Sequence, residues 1–520
     1  MITYGENHIG GAPLKAQVCI VGTGPAGVTL AYYLAKKGVS VILLEGSRTF
    51  GRDPNSGIGP SSDYNENNQL YTGEAAGLLA TSEQHFLILP SNQISTPAAG
   101  DNASERDRVY GGTSTHWGGQ SRPLDAITFE KRPGFPGWPV TRAELDPYYE
   151  EACKVMGLYG PYYAPDGTAG YNFSAEFWAD TLGPDYAAAS VEGFDVDIYQ
   201  FPQSNMLQFQ SRTFDNGKTI GDSNVQVVLN ASLLDIERQG GTVSALTVGV
   251  MTNNTSSDNN RTPAKQAGTF TVEADIVVLA CGAVANARQL LLSGFGEDND
   301  LIGRYLMGHP LANYGSAVST SSSWLTPQEQ KLVGWTSLYG QYGINALKGV
   351  LTPSAEAATA NGVGRVWFNN DGTGNYYHEL LPEYTSRVML ADSVDPVFGQ
   401  KQTRVEWNLN ANEQNNYETL AKMFTAAVQA KVPGQQVSVT DWANLPPTMV
   451  FNGHHIGTTR MSADPTEGVV DADLKMHGVD NLYIAGSSVW ASAGISNPTF
   501  SIIAFSIRLA EHLGQKLGSA

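Results

Sequence analysis

The chain has 520 residues, 41% hydrophobic and 10% aromatic content, and a formal net charge of −19. That length exceeds what one hydrophobic core supports and points to two domains, and the composition excludes a disordered chain. The acidic balance excludes nucleic acid and anionic membrane as partners, because both need a basic face. No run of ~18 or more apolar residues occurs, so no membrane span is expected. Met1 to Lys15 lacks the apolar stretch of a secretory leader; a cytoplasmic location is the default expectation, with a processed secreted form left open. Cys19, Cys153 and Cys281 give no metal-ligand spacing, haem-attachment motif or disulfide framework. Cys19 and Cys281 adjoin apolar runs and are expected to be small buried residues.

In chain order, Gln17–Val21 reads as a buried strand, Ala26–Lys37 as a helix stopped by Gly38, and Val39–Leu44 as a second strand followed by Glu45. This is a βαβ unit. Its turn, Gly22-Thr23-Gly24-Pro25-Ala26-Gly27, is a nucleotide-binding fingerprint. Gly22 permits the tight turn, Gly24 lets the backbone approach a pyrophosphate, and Gly27 lets helix pack on strand. The helix N-terminus supplies N–H groups for phosphates, and Glu45 is placed to accept from ribose hydroxyls. Spacing alone does not separate FAD from NAD; the N-terminal placement and the final segment favour FAD.

Residues 49–105 are rich in Gly, Ser, Asn and Pro and read as a long excursion. Next, Tyr110-Gly111-Gly112-Thr113-Ser114-Thr115-His116-Trp117-Gly118-Gly119 shows neither helical nor strand period. Its glycines imply close backbone approach to something flat or bulky, and its hydroxyls and His116 suit a flavin ring edge. Gln226–Leu234, Thr242–Val248 and Phe270–Ala280 read as strands, and Ala283–Ser293 as a helix. From about 316 to 449 the chain reads as irregular, with strand candidates at Val363–Asn369 and Arg404–Leu409. The last seventy residues hold His454-His455, the apolar run Asn481–Ser487 with Gly486 near its end, and Asn497-Pro498-Thr499 opening a helix Pro498–Leu513. A histidine near an asparagine at a helix start suits handling the proton of an alcohol.

These residues resemble the glucose–methanol–choline (GMC) family of FAD-dependent oxidoreductases over about half the chain, in 16–46, 108–149, 273–310 and 450–513. Gly111–Trp117 is similar to the flavin loop of pyranose oxidases, where the histidine at the position of His116 can be joined to the flavin; related sugar dehydrogenases lack that bond, and both states stay open here. Leu301–Pro310 resembles the family's Gly-x-x-Leu-x-x-His-Pro turn, and Glu379–Gly399 a segment of bacterial sugar-oxidising members. The family's His-x-x-x-Thr spacing puts the catalytic base at His454, with His455 a neighbour, and the second catalytic position at Asn497. Ala280, Gly486, Pro498 and Thr499 fall at cofactor-contacting positions. The implied fold class is α/β: a doubly wound FAD domain from residues 1–125, 220–315 and 450–520, and a substrate domain from 126–219 and 316–449 with a mostly antiparallel six-stranded sheet.

The resemblance implies oxidation of a secondary hydroxyl of a sugar or glycoside, at C2 or C3 of a pyranose, to a ketone. His454 would act as general base, Asn497 would hold the hydroxyl in register, and flavin N5 would take the hydride. Pro498 fits the first turn of a helix whose positive end would stabilise reduced flavin. No metal is implied, and the acceptor is O2, a quinone or a redox protein. Two alternatives stand: oxidation of a non-sugar primary alcohol of choline or aryl type, and a lyase with flavin as spectator. Substrate-driven flavin reduction separates the last from the others.

Overall fold

The computed structural model describes residues 1–47, 83–88, 94–95, 110–115, 117–158, 172–202, 220, 223–252, 265–296, 299–312, 318–320, 323–339, 344–368, 377–439, 449–451 and 454–518. At its centre is an eight-stranded sheet. Its strands run in the order Ile2–Tyr4, Val225–Leu229, Val41–Leu44, Leu14–Val21, Gln266–Leu279, Thr242–Met251 and Ser232–Gln239, with Leu482–Ile484 joined to Gln266–Leu279. The pairs from Ile2–Tyr4 through to Gln266–Leu279 are all parallel. The long Gln266–Leu279 strand serves two neighbours along one edge. Its first half pairs antiparallel with Thr242–Met251, and its last residues pair parallel with Leu482–Ile484.

The sequence explains this arrangement. Val18, Cys19, Ile20 and Val21, Val41 to Leu44, and Ile276 to Leu279 are buried runs without alternation, the pattern of parallel strands covered on both faces. Helix Pro25–Lys36 packs on the C-terminal helix Pro498–Lys516, which also carries Arg142–Met156. The parallel strands therefore end together: Gly22, Glu45 and Ala280 follow immediately after strands Leu14–Val21, Val41–Leu44 and Gln266–Leu279, and Gly486 comes one residue further on after Leu482–Ile484. That carboxyl edge is where open α/β sheets bind ligands.

The other segments depart from expectation. The six-stranded sheet is not assembled among the described residues. Instead, Trp335–Ser337, Ala346–Pro353 and Phe194–Phe201 form a three-stranded antiparallel sheet. Arg387–Val394, Lys401–Asn408, Glu83–Ile88 and Ile94–Ser95 form a separate four-stranded one. The expected strand Val363–Asn369 makes only single bridges, Val366 to His378 and Leu351 to Phe368; Asn369 lies outside the described residues. Side chains have taken its ladder bonds: Gly364 N donates to Asn416 Oδ1 and Arg365 N to Glu379 Oε2, each at 2.9 Å. The stretch read as irregular also holds a 21-residue helix, Ala411–Lys431. Asn410 caps it by accepting from Asn412 N and Glu413 N, and Tyr417, Leu420, Ala421, Phe424, Ala427 and Val428 form its buried stripe. Cys281 is half-buried rather than buried, because it sits just past a strand end, where its thiol donates to Val21 O at 3.2 Å.

Candidate active site

Two glycines of the fingerprint have steric reasons within the chain. Gly22 sits at φ 107°, and a Cβ there would lie 2.5 Å from Ala280 O. A Cβ on Gly27 would lie 1.9 Å from Gly22 O, so helix and turn could not close. At Gly24 a Cβ would meet nothing within 4 Å. Gly24 is the N-cap of Pro25–Lys36, contributes no side-chain cap, and is followed by Pro25 at the first turn and buried Ala26. The helix's first N–H groups therefore receive no side-chain cap, which suits a phosphate at this helix start. Glu45 is buried, accepts from the Thr23 hydroxyl, and takes Ser47 N at 3.0 Å.

The second glycine loop comes against the first. Gly111 N donates to Thr23 Oγ1 at 3.0 Å, a Cβ on Gly112 would lie 3.0 Å from Gly24 Cα, and Ser114 Oγ donates to Gly111 O at 2.7 Å. Gly112–Thr115 forms one 3-10 turn holding Thr113, and Trp117 beyond it is half-buried. His116 lies outside the described residues, so the choice between free and joined flavin is untouched by the geometry.

The opposite end of the chain enters the same region. Ser487 Oγ donates to His455 O at 2.7 Å, Gly457 N to Ser487 O at 3.1 Å, and Thr459 N to Ser488 O at 2.8 Å. Thr458 Oγ1 donates to Ala283 O at 2.6 Å, and Ser496 Oγ to Pro123 O at 2.9 Å. The His454–Thr459 segment is thus laced to the sheet edge at Gly486 and to the turn just past Ala280.

His454 and His455 project into different surroundings. His455 is buried beside the Trp407 ring, with centroids 5.7 Å apart. His454 keeps a partly open face and stacks on Tyr377, with centroids 5.5 Å apart and planes at 14°. Its Nε2 lies 3.4 Å from Asn497 Nδ2, and its Nδ1 lies 3.0 Å from His309 Nδ1. Burial, and then the neighbouring His309 and His455, hold the His454 imidazole well below its ordinary 6.5, so it is neutral at physiological pH.

Asn497 occupies the N-cap of Pro498–Lys516 yet caps nothing. An asparagine there ordinarily accepts from the second or third helical N–H. Here the amide is turned to His454, and its Oδ1 is buried without a hydrogen-bond partner. Pro498 is at the first helical position and is buried, with Thr499 half-buried after it.

Sequence reading assigned no role to several neighbours. His309 came with a motif but no task. Tyr377 and Trp367, with centroids 4.1 Å apart, extend an aromatic wall from His454, and Trp367 Nε1 donates to Tyr199 OH at 2.9 Å. Buried Glu379 accepts from Gly494 N at 2.7 Å and pairs with Arg132 at 3.2 Å. Their tasks carry no local signal, since each gains meaning only from residues distant in sequence.

The residues fit a dinucleotide. Two helices begin at this region without side-chain caps, at Gly24 and Asn497, and a Cβ at Gly24, Gly282 or Gly486 would meet nothing within 4 Å. Tyr110 OH and Asn497 Oδ1 are buried polar atoms with no partner, and such atoms are rare unless a ligand or solvent completes them.

Comparison with known proteins agrees. A GMC oxidoreductase profile matches residues 382–506 and an FAD-binding-domain profile matches residues 15–65. The fructose dehydrogenase large subunit of Gluconobacter japonicus is 23% identical, over 96% of this chain and 97% of that one. The 2-methyl-1,2-propanediol dehydrogenase of Mycolicibacterium austroafricanum is 23% identical, over 96% of each chain. Among solved structures, a formate oxidase variant of Aspergillus oryzae RIB40 superimposes with a TM-score of 0.59 at 17% identity, covering 97% of this chain and 98% of that one, and shares the fold. With its glycine cradle, its paired His454 and Asn497 and these full-length likenesses, the chain carries a GMC oxidoreductase C-terminal domain beside an FAD-binding domain and is similar to the GMC family of FAD-dependent oxidoreductases.

Proposed function

We propose that this enzyme oxidises a secondary hydroxyl of a sugar or glycoside, at C2 or C3 of a pyranose, to the ketone. The observation that carries the reading is Asn497: an N-cap asparagine that leaves its helix uncapped to face His454, with a buried oxygen in want of a partner. An alcohol between the two donates its hydroxyl proton to His454 Nε2 and accepts an N–H from Asn497 Nδ2. His454, held neutral by burial, takes that proton as general base. Asn497 does not titrate and fixes the hydroxyl's direction. Bound FAD supplies the two-electron oxidant, held by the Gly22–Gly27 and Gly111–Trp117 loops, with Glu45, Ala280, Gly486, Pro498 and Thr499 around it. O2, a quinone or a redox protein then takes the electrons.

Support for a sugar comes from half-buried Tyr377, an aromatic ring stacked on His454 beside the polar pair and suited to packing on a polyhydroxylated ring. The pyranose-oxidase character of Gly111–Trp117 and the likeness to fructose dehydrogenase point the same way. A second reading, oxidation of a small non-sugar alcohol, is favoured by the equally extensive likeness to a diol dehydrogenase. The test is His454→Ala. The variant keeps its yellow flavin while anaerobic reduction by substrate slows by about 10²–10⁴. Flavin reduction at the wild-type rate would remove His454 from the base role.

A further inference from the structure

The proton-accepting nitrogen of His454 is of use only if it is unprotonated and faces the substrate. A neutral imidazole has two forms, and the hydrogen bond at one nitrogen decides which the other adopts. Resting on the reading of His454 as base, we propose that His309 is a positioning residue that holds His454 in the Nδ1–H form, leaving the Nε2 lone pair directed at Asn497.

The argument starts from a carbonyl. His309 Nε2 lies 2.8 Å from Gly494 O. A carbonyl only accepts, so the proton of this bond sits on His309 Nε2. His309 is buried, and burial pushes it down to about 4, so it carries no second proton at neutral pH. Its Nδ1 is therefore an acceptor. The atom 3.0 Å away is His454 Nδ1, which must then be the donor. With Nδ1 protonated and the ring neutral, Nε2 of His454 bears the free pair. That is the atom 3.4 Å from Asn497 Nδ2, an N–H group that needs an acceptor there.

The anchor of this chain is rigid. Gly494 N donates to Glu379 Oε1 at 2.7 Å, and the other oxygen of Glu379 takes Arg132 and the Arg365 N–H at 3.2 and 2.9 Å. Gly494 has φ 60°, and a Cβ on it would lie 2.6 Å from Leu124 Cδ2. The amide side of Gly494 is thus pinned to a buried carboxylate, next to the carbonyl that receives His309. The rings of His309 and His454 meet edge to face at 86°, and Tyr377 stacks on His454 from the other side. His454 is held both against rotation and against proton migration between its nitrogens.

The test uses the FAD-loaded enzyme. Histidine ring-15N NMR, with His454 assigned from a His454→Gln spectrum, is expected to show the Nδ1–H form in the wild type. His309→Ala leaves the Nδ1–H of His454 without an acceptor, a loss that shifts the ratio of forms about tenfold or more towards Nε2–H. Substrate reduction of the flavin then slows by about 10²–10⁴, the effect of a catalytic histidine in the wrong form. His309→Asn places an amide oxygen where Nδ1 stood and is expected to recover most of the rate and the Nδ1–H signature. An Nε2–H signature in the wild type overturns the proposal, even if His309→Ala fails to fold. So does His309→Ala at wild-type rate, or His309→Asn no better than His309→Ala. If the signatures are as expected but His454→Ala still reduces its flavin normally, the base assignment falls and the control of His454 by His309 stands.

Discussion

Gly24 and Gly27 lie three residues apart in one turn, and the structure separates their purposes. Gly24 has φ −67° and ψ −177°, which any residue adopts, and a Cβ added there meets nothing within 4 Å. Gly24→Ala therefore costs the apoprotein only the difference between Gly and Ala at an N-cap, about 1 kcal/mol or less. The same methyl enters the open space at the uncapped start of Pro25–Lys36. Losing one hydrogen bond to a charged phosphate costs about 1.5–3 kcal/mol, or roughly 10- to 150-fold in affinity. Gly27→Ala is the opposite case. Its Cβ overlaps Gly22 O at 1.9 Å, and overpacking of that kind costs on the order of 3 kcal/mol or more before any cofactor is added. Denaturant unfolding of the apoproteins and FAD titration by flavin fluorescence separate the two. The expected result is a Gly24→Ala apoprotein of near wild-type stability with weakened FAD binding, and a Gly27→Ala protein that is unstable throughout. Wild-type FAD affinity in Gly24→Ala would refute the assignment of this turn to the pyrophosphate.

Other consequences can be checked independently. Gly494→Ala combines a positive φ with a Cβ 2.6 Å from Leu124 and 3.0 Å from Thr128 Oγ1, and is expected to destabilise by about 2–4 kcal/mol in chemical unfolding; a loss near zero would mean the loop repacks freely. Glu379→Ala leaves buried Arg132 without its carboxylate and is expected to cost about 3–5 kcal/mol, read as a drop in unfolding midpoint at unchanged slope. His309 is neutral in the fold, with its value depressed from 6.5 to about 4. The unfolded chain binds this proton first, so the contribution is whole above pH 6.5 and is lost as pH falls from 6.5 towards 4. That window is worth about 3 kcal/mol, to which His454 adds in the same direction. Unfolding at about pH 7.5 and about pH 4.5 should show a smaller acid loss in His309→Asn than in wild type, and equal losses would contradict this account.

Much of the cofactor side was legible because its signals are local. Gly22 to Gly27 and Glu45 lie within one βαβ unit, and buried runs such as Val18–Val21 and Ile276–Leu279 announce parallel strands without knowledge of their partners. The helix Ala411–Lys431 was also legible in principle: Asn410 as cap and an apolar stripe from Tyr417 to Val428 lie in the sequence, masked by the polar start Asn412-Glu413-Gln414-Asn415-Asn416. The failed strand at Val363–Asn369 was not legible, because Asn416 and Glu379, which take its backbone bonds, come from elsewhere in the chain. The site divides in the same way. Asn497 and His454 stand 43 positions apart and were singled out through motif spacing, and the fold brings them within 3.4 Å. His309 stands 145 positions from His454, and its task depends on the direction of a single carbonyl, which no composition or periodicity encodes.

In the proposed reaction a sugar hydroxyl gives its proton to His454, is held in register by Asn497, and gives its hydride to FAD. The most direct measurement is anaerobic absorbance of the flavin-loaded protein against pyranoses, glycosides and small diols, with ketone formation at C2 or C3 followed in the same samples. The account predicts bleaching by a pyranose or glycoside, matched by ketone, and abolished in His454→Ala. Bleaching by diols or simple primary alcohols alone would contradict the sugar assignment. Turnover without bleaching by any alcohol would contradict the redox reading itself.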